Sequence, residues 1–138
     1  MQFYRPDQTT RVEFPFFLEP VEAGFPSPAR DYLEKKLDLN DLLIQHPAAT
    51  FFVRAAGHSM RDAGIHDGDL LVVDRAVKPQ EGKVVIAVIN GEFTVKRIKF
   101  QKDKLFLMPE NPAFAPIEVD SMADFQVWGV VTYVIHKT

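Results

Sequence analysis

The stretch AGHSMRDAGIHDGDLLVVDR, Ala56 to Arg75, sets a serine two residues after a glycine, then a turn, then an apolar run that reads as a buried strand. Asp67-Gly68-Asp69 is a turn feeding that strand, because Gly and Asp tolerate the left-handed backbone a tight turn needs. Ser59 admits two readings from this pattern: it caps a turn, or it faces a cleft as a nucleophile.

Strand signals dominate on both sides. TFFVRA from Thr50, DLLVVD from Asp69, KVVIAVI from Lys83, EFTVKRI from Glu92, KLFLMP from Lys104 and FQVWGVVTYVIH from Phe125 are rich in β-branched and aromatic residues and are separated by turn signals. Asn90-Gly91 joins two of them and predicts a tight hairpin, since both residues accept positive φ. The body is expected to be mainly β, a twisted antiparallel sheet or barrel-like structure. The final strand is apolar on both faces, which predicts burial on two sides.

Before the strands, RDYLEKKLDLNDLLIQHP places Tyr32, Leu33 and Leu37, then Leu39, Leu42 and Leu43, at helical intervals, with Asp38 as a cap and Pro47 as a stop. Two short helices or helical turns are expected. Residues 1 to 29 hold five of the ten prolines and five of the twelve phenylalanines, with no period sustained across them. Proline restrains its predecessor to extended geometry, so this is an extended arm. Its phenylalanines are unusual for a solvated linker and imply that the arm docks against something.

Composition limits the function. The 138 residues, 46% hydrophobic, suffice for one domain with an appendage. A net charge of -3 argues against main affinity for a phosphate backbone, so direct nucleic-acid binding is not expected. Cysteine is absent, and no apolar run approaches the roughly 18 residues of a membrane span, so a cytoplasmic protein without disulfides is expected. The basic run Lys96, Arg97, Lys99, Lys102 and Lys104 reads as a solvated hairpin.

His46, His58, His66 and His136 could serve a Ser-His-Asp triad, but no spacing singles one out, and none shows a metal-ligand pattern. Lys96 is different. In EFTVKRIKF, alternation puts Thr94, Lys96, Ile98 and Phe100 on one face. A lysine there either snorkels to water or, held in apolar surroundings, loses its proton more readily and serves as a general base. Spacing leaves both readings open.

Taken together, the run from Ala23 to Ala76 and GEFTVKRIKF from Gly91 closely resemble the UmuD group of LexA-like serine peptidases, the self-cleaving subunits of SOS-induced translesion DNA polymerases. The motifs that carry the likeness are G-x-S-M, then D-G-D and an apolar strand, then T-V-K in the second strand of a hairpin, with the lysine 37 residues after the serine. The resemblance spans nearly all of the chain from Ala23 onward.

That resemblance implies Ser59 as nucleophile, Lys96 as general base and Thr94 as the hydroxyl that holds the lysine. Backbone amides of His58 and Ser59 form the oxyanion hole, and the His58 side chain has no role. No metal or cofactor is implied. The cleavage site falls at Ala23-Gly24 in VEAGFP, where UmuD-type chains carry cysteine and LexA-like chains alanine, both small. Residues 1–29 become the arm that is removed and residues 30–138 a LexA-like peptidase domain. The implied partners are a second copy in a homodimer, formed through the C-terminal strand, a UmuC-like DNA polymerase, and a RecA filament on single-stranded DNA as trigger.

Three alternatives share the body. A LexA-like or phage-type repressor needs a two-helix DNA-reading unit, for which residues 1–29 carry no pattern. A non-catalytic interaction module keeps the sheet without self-cleavage. A membrane-bound signal peptidase needs a membrane span.

Overall fold

The computed structural model describes residues 3–6, 10–17, 20–26, 28 and 34–138. The chain divides into two units, one made of Met1–Pro6 with His46–Thr138, the other of Asp7–Gln45.

The larger unit is one antiparallel sheet built from β1 (Phe3–Tyr4), β4 (Thr50–Arg54), β5 (Leu70–Asp74), β6 (Val84–Ile89), β7 (Glu92–Gln101), β8 (Lys104–Met108), β9 (Ile117–Val119) and β10 (Phe125–Ile135). Its spatial order is β1-β4-β5-β10-β6-β7-β8-β9. The sheet is mainly β and antiparallel as expected, but β1 and β9 do not pair, so it stays open and no barrel closes. All six strands read from the sequence are present. The Asn90-Gly91 turn has φ of 50° and 81°, as a hairpin twisted with its strands requires. Lys102 and Asp103, at φ 49° and 64°, make the same kind of turn between β7 and β8 without a glycine.

Both faces of the sheet's centre are covered, which explains the near-continuous apolar run of β6. Ile86 packs with Val53, Ala55, Met60, Ile65, Leu71 and Val73 on one face. Its neighbours Val85 and Ala87 pack with Ile98, Leu107 and Val130 on the other. β10 joins the two halves, pairing with β6 through Phe125–Val130 and with β5 through Val130–Ile135. The register slips between Val127 and Gly129, where a Cβ on Gly129 would lie 2.6 Å from a Val73 methyl. Two-sided burial of β10 holds from Val127 to Val131 and fails on either side, for Gln126 and then Tyr133, Val134 and Ile135 are exposed.

In the smaller unit, β2 (Phe14–Phe17) pairs antiparallel with β3 (Glu34–Leu37). The first of the two expected helices is therefore corrected: Glu34–Leu37 is extended, while Tyr32 and Leu33, like the expected boundary at residues 29 and 30, lie outside the described residues. An isolated helical turn is a poor competitor against a ladder, and the Phe14–Leu37 pair gives the extended form a partner. The second expected helix is present as α1 (Leu39–Leu43), with the Asp38 carboxylate accepting from the Asn40 N–H at 2.9 Å. The second Asp38 oxygen accepts from the Val12 N–H at 3.1 Å, tying the segment just before β2 to the helix start.

Candidate active site

Ser59 sits in the loop between β4 and β5, and three features fix that loop. Gly57 takes φ 88° and its N–H donates to Asp67 at 2.8 Å. Met60 is 2% exposed and plugs the apolar cluster under the loop, a burial that contributes roughly 1.5–3 kcal/mol. From the β8–β9 connection, the Glu110 N–H donates to the Ser59 carbonyl at 2.8 Å, and the Asn111 amide donates to the His58 carbonyl at 2.8 Å. Ser59 does not cap the 3-10 turn Arg61–Ala63, whose cap position is Met60 with no side-chain hydrogen bond.

The Lys96 amine lies 3.1 Å from the Ser59 hydroxyl and 2.7 Å from the Thr94 hydroxyl. β7 presents both side chains on one face, with Thr94 opposite Ala87 and Lys96 opposite Val85 on β6. Lys96 is only 8% exposed, and burial lowers its pKa from the ordinary lysine value of 10.5. Among the described residues no carboxylate pairs with it. The Ser59 and Thr94 hydroxyls and the Val95 carbonyl can accept from an ammonium here, but burial outweighs them and favours the neutral amine, and a neutral amine beside a serine hydroxyl is a base in reach of its proton.

The dyad opens into a cleft of about 400 Å³ lined by Ala56, Gly57, His58, Phe93, Val95 and Phe114, among others. Among the described residues nothing accepts from the backbone N–H of His58 or of Ser59. A larger hollow of about 800 Å³, between Leu105, Val119 and Phe125, carries neither a paired nucleophile nor a base.

Ser59, Lys96 and Thr94 are thus brought together, with the His58 backbone beside them. Ala23 and Gly24 lie in the smaller unit, in an exposed bend. Three of the four histidines are placed elsewhere: His46 bonds buried Asp74 at 2.6 Å and His136 bonds buried Asp69 at 2.6 Å, while the His66 ring lies 4.9 Å from the His136 ring. Burial works against the charge of Asp69, but the His66 N–H, the His136 hydrogen bond and the two nearby histidines outweigh it and lower its pKa. Neither carboxylate–imidazole pair bonds Ser59. Of the basic run, Arg97 pairs with Glu110 at 2.7 Å and Lys104 with Glu118 at 3.4 Å, while Lys99 and Lys102 are exposed. Among the described residues no group of three His, Asp or Glu side chains gathers to hold a metal ion, and no helix is long and apolar enough to cross a membrane.

Sequence reasoning missed Glu110 and Asn111. The signal was present in PENP, Pro109 to Pro112, where two prolines hold a short rigid turn, but nothing local told which loop it would clasp.

The peptidase S24-like family model matches residues 15–132. Protein SamA of Salmonella typhimurium is 54% identical over 124 residues, covering 90% of this chain and 86% of SamA. Protein ImpA of Escherichia coli is 52% identical over 125 residues, covering 90% and 84%. The LexA repressor of Xylella fastidiosa is 46% identical over 110 residues, covering 80% of this chain and 52% of the repressor.

Proposed function

Because the chain belongs to the peptidase S24-like family and its relatives are UmuD-like, we infer that it is a serine peptidase acting on itself through Ser59 and Lys96. The observation that carries this reading is the buried Lys96 amine, without a carboxylate partner among the described residues, 3.1 Å from the Ser59 hydroxyl.

In the proposed reaction neutral Lys96 takes the Ser59 proton as the serine oxygen attacks the Ala23 carbonyl carbon. The oxyanion that forms accepts hydrogen bonds from the His58 and Ser59 amides, where each well-placed donor contributes on the order of 3 kcal/mol in comparable sites. Protonated Lys96 then gives its proton to the Gly24 nitrogen as the peptide bond breaks. Water, deprotonated by Lys96, releases the Ala23 carboxylate and restores the serine. Ala23 suits a narrow approach because its side chain is a single methyl. The exposed Val21 and Phe25 supply apolar flanks for a cleft walled by Phe93, Val95 and Phe114.

The trimmed protein is then an accessory subunit of a UmuC-like translesion polymerase in the SOS response, with a RecA filament on single-stranded DNA as trigger. A homodimer through the exposed apolar end of β10, Tyr133 to Ile135, fits the same reading.

Intact-mass measurement of the purified chain, with and without a RecA filament, tests activity, site and trigger together. The expected product begins at Gly24, and Ala23→Asp abolishes it, because a carboxylate is costly to desolvate in a small apolar site. A new terminus elsewhere, or a Ser59→Ala chain that still cuts, overturns the reading.

A further inference from the structure

β1 is two residues long, yet it is held by more than its ladder. Phe3 pairs opposite Val53 and Tyr4 opposite Phe52, so β1 covers what is otherwise the open edge of β4. The Phe3 ring lies 4.6 Å from the Trp128 ring and 5.2 Å from Phe93. Phe51 meets the same indole edge-on at 5.2 Å, and the Arg75 guanidinium covers it at 4.6 Å. Arg5 completes the clasp, its guanidinium 5.2 Å from the Phe51 ring and donating to the Ala48 carbonyl at 3.4 Å. An aromatic side chain, an extended backbone and an arginine two residues later are thus read by an aromatic patch, a strand edge and a carbonyl.

We propose that the β4 edge beside Trp128 is a strand-addition site, covered by the chain's own Phe3–Arg5 while the arm is intact. Once the arm is cut away, it takes an extended segment of a partner protein bearing an aromatic residue two positions before an arginine. The uncovering rests on the cleavage reading above; the site itself does not. Phe3 and Arg5 lie upstream of Ala23, so a cut there converts a tethered strand into a free peptide and removes the effective concentration that keeps it seated. What is left is a bare sheet edge with Trp128, Phe51 and Phe93 around it, the combination that peptide-binding sheets use: main-chain bonds for affinity, side-chain pockets for choice. The partner's chemistry follows from the segment now in place, because each of its three features, the aromatic side chain, the extended backbone and the arginine, has a named receptor.

The test uses the full chain with Ser59→Ala, so that nothing is cut, and a fluorescent synthetic hexapeptide of residues 1–6 as probe. A second full chain also carries Phe3→Ala and Tyr4→Pro, which uncover the site. The uncovered chain is expected to bind the hexapeptide at least about tenfold more tightly than the covered one, and Phe3→Ala in the peptide to weaken binding by about tenfold or more. Arg5→Ala in the peptide is expected to weaken it severalfold. Trp128, the one tryptophan in the sequence, reports directly: its emission shifts to the blue as the peptide seats. Equal binding to covered and uncovered chains, indifference to Phe3→Ala in the peptide, or unchanged Trp128 emission overturns the proposal. A wild-type chain that never cuts refutes the cleavage reading instead, while the uncovered chain still decides the site.

Discussion

The Thr94 hydroxyl lies 2.7 Å from the Lys96 amine, two residues back along the same strand and on the same face. A strand gives such a pair for free, because alternate side chains share a face at a fixed separation. The hydroxyl steers the lysine toward Ser59 and, by accepting from it, favours its charged form.

Thr94→Val keeps the shape and removes the hydroxyl. Self-cleavage is expected to slow by about tenfold, since a misplaced base loses reach. Its pH midpoint is expected to move down, because an acceptor that favoured the ammonium has gone. Rate and midpoint both unchanged would show that Thr94 holds nothing.

Asn111 bridges to the loop on the amine's other side. Its amide donates to the His58 carbonyl at 2.8 Å from a buried position. Asn111→Ala removes the shorter of two hydrogen bonds to that carbonyl, leaving it the Arg61 N–H at 3.2 Å, and loosens the backbone that carries the His58 and Ser59 amides. The expected costs are about 0.5–1.5 kcal/mol in denaturant unfolding and a slower self-cleavage at unchanged pH midpoint. Loss of stability with full activity would confine Asn111 to a structural role.

Gly129 tests the packing beneath the site. A methyl there meets a Val73 side chain at 2.6 Å, at a bulge where β10 hands over from β6 to β5. Gly129→Ala is expected to lower stability by about 1–3 kcal/mol, measured as a fall in the denaturant midpoint. A change within about 0.5 kcal/mol would mean that Val73 and Arg75 yield easily.

What was legible in the sequence divides along physical lines. The six longer strands were readable because each carries its own run of apolar residues, β-branched or aromatic in most and Leu-Phe-Leu in β8, and Asn90-Gly91 because its left-handed preference is local. β9, Ile117–Val119, is three residues long, and β1 is two; both exist through their partners, Leu105–Leu107 and Phe52–Val53, and so leave no periodic trace. Glu34–Leu37 misled for the same reason, since a local helical interval lost to a distant strand. Ser59 and Lys96 stood out by motif, whereas the clasp from Glu110 and Asn111 is a long-range contact that no local pattern announces.

Lys96 sets the sharpest prediction. Its pKa is lowered from 10.5 by burial, and only the neutral amine can accept the Ser59 proton. Below that lowered value the active fraction rises about tenfold per pH unit; above it the rate levels off. Spontaneous self-cleavage is therefore expected to climb in alkaline buffer and reach its plateau before pH 10.5. Stability follows the same sign. Between the folded and unfolded pKa values the unfolded chain holds the proton that the folded chain has lost, so this lysine makes the fold more stable as pH rises through that window. Lys96→Met is expected to flatten that rise and to abolish cleavage. Lys96→Arg removes the reaction at every workable pH, because a guanidinium keeps its proton. His46→Ala, His58→Ala, His66→Ala and His136→Ala each retain the alkaline climb, since none of these imidazoles bonds Ser59; a histidine base would instead give a plateau near its own unperturbed value of about 6.5. A folded Lys96→Arg chain that still cuts, at a rate climbing with pH, would remove Lys96 from the mechanism.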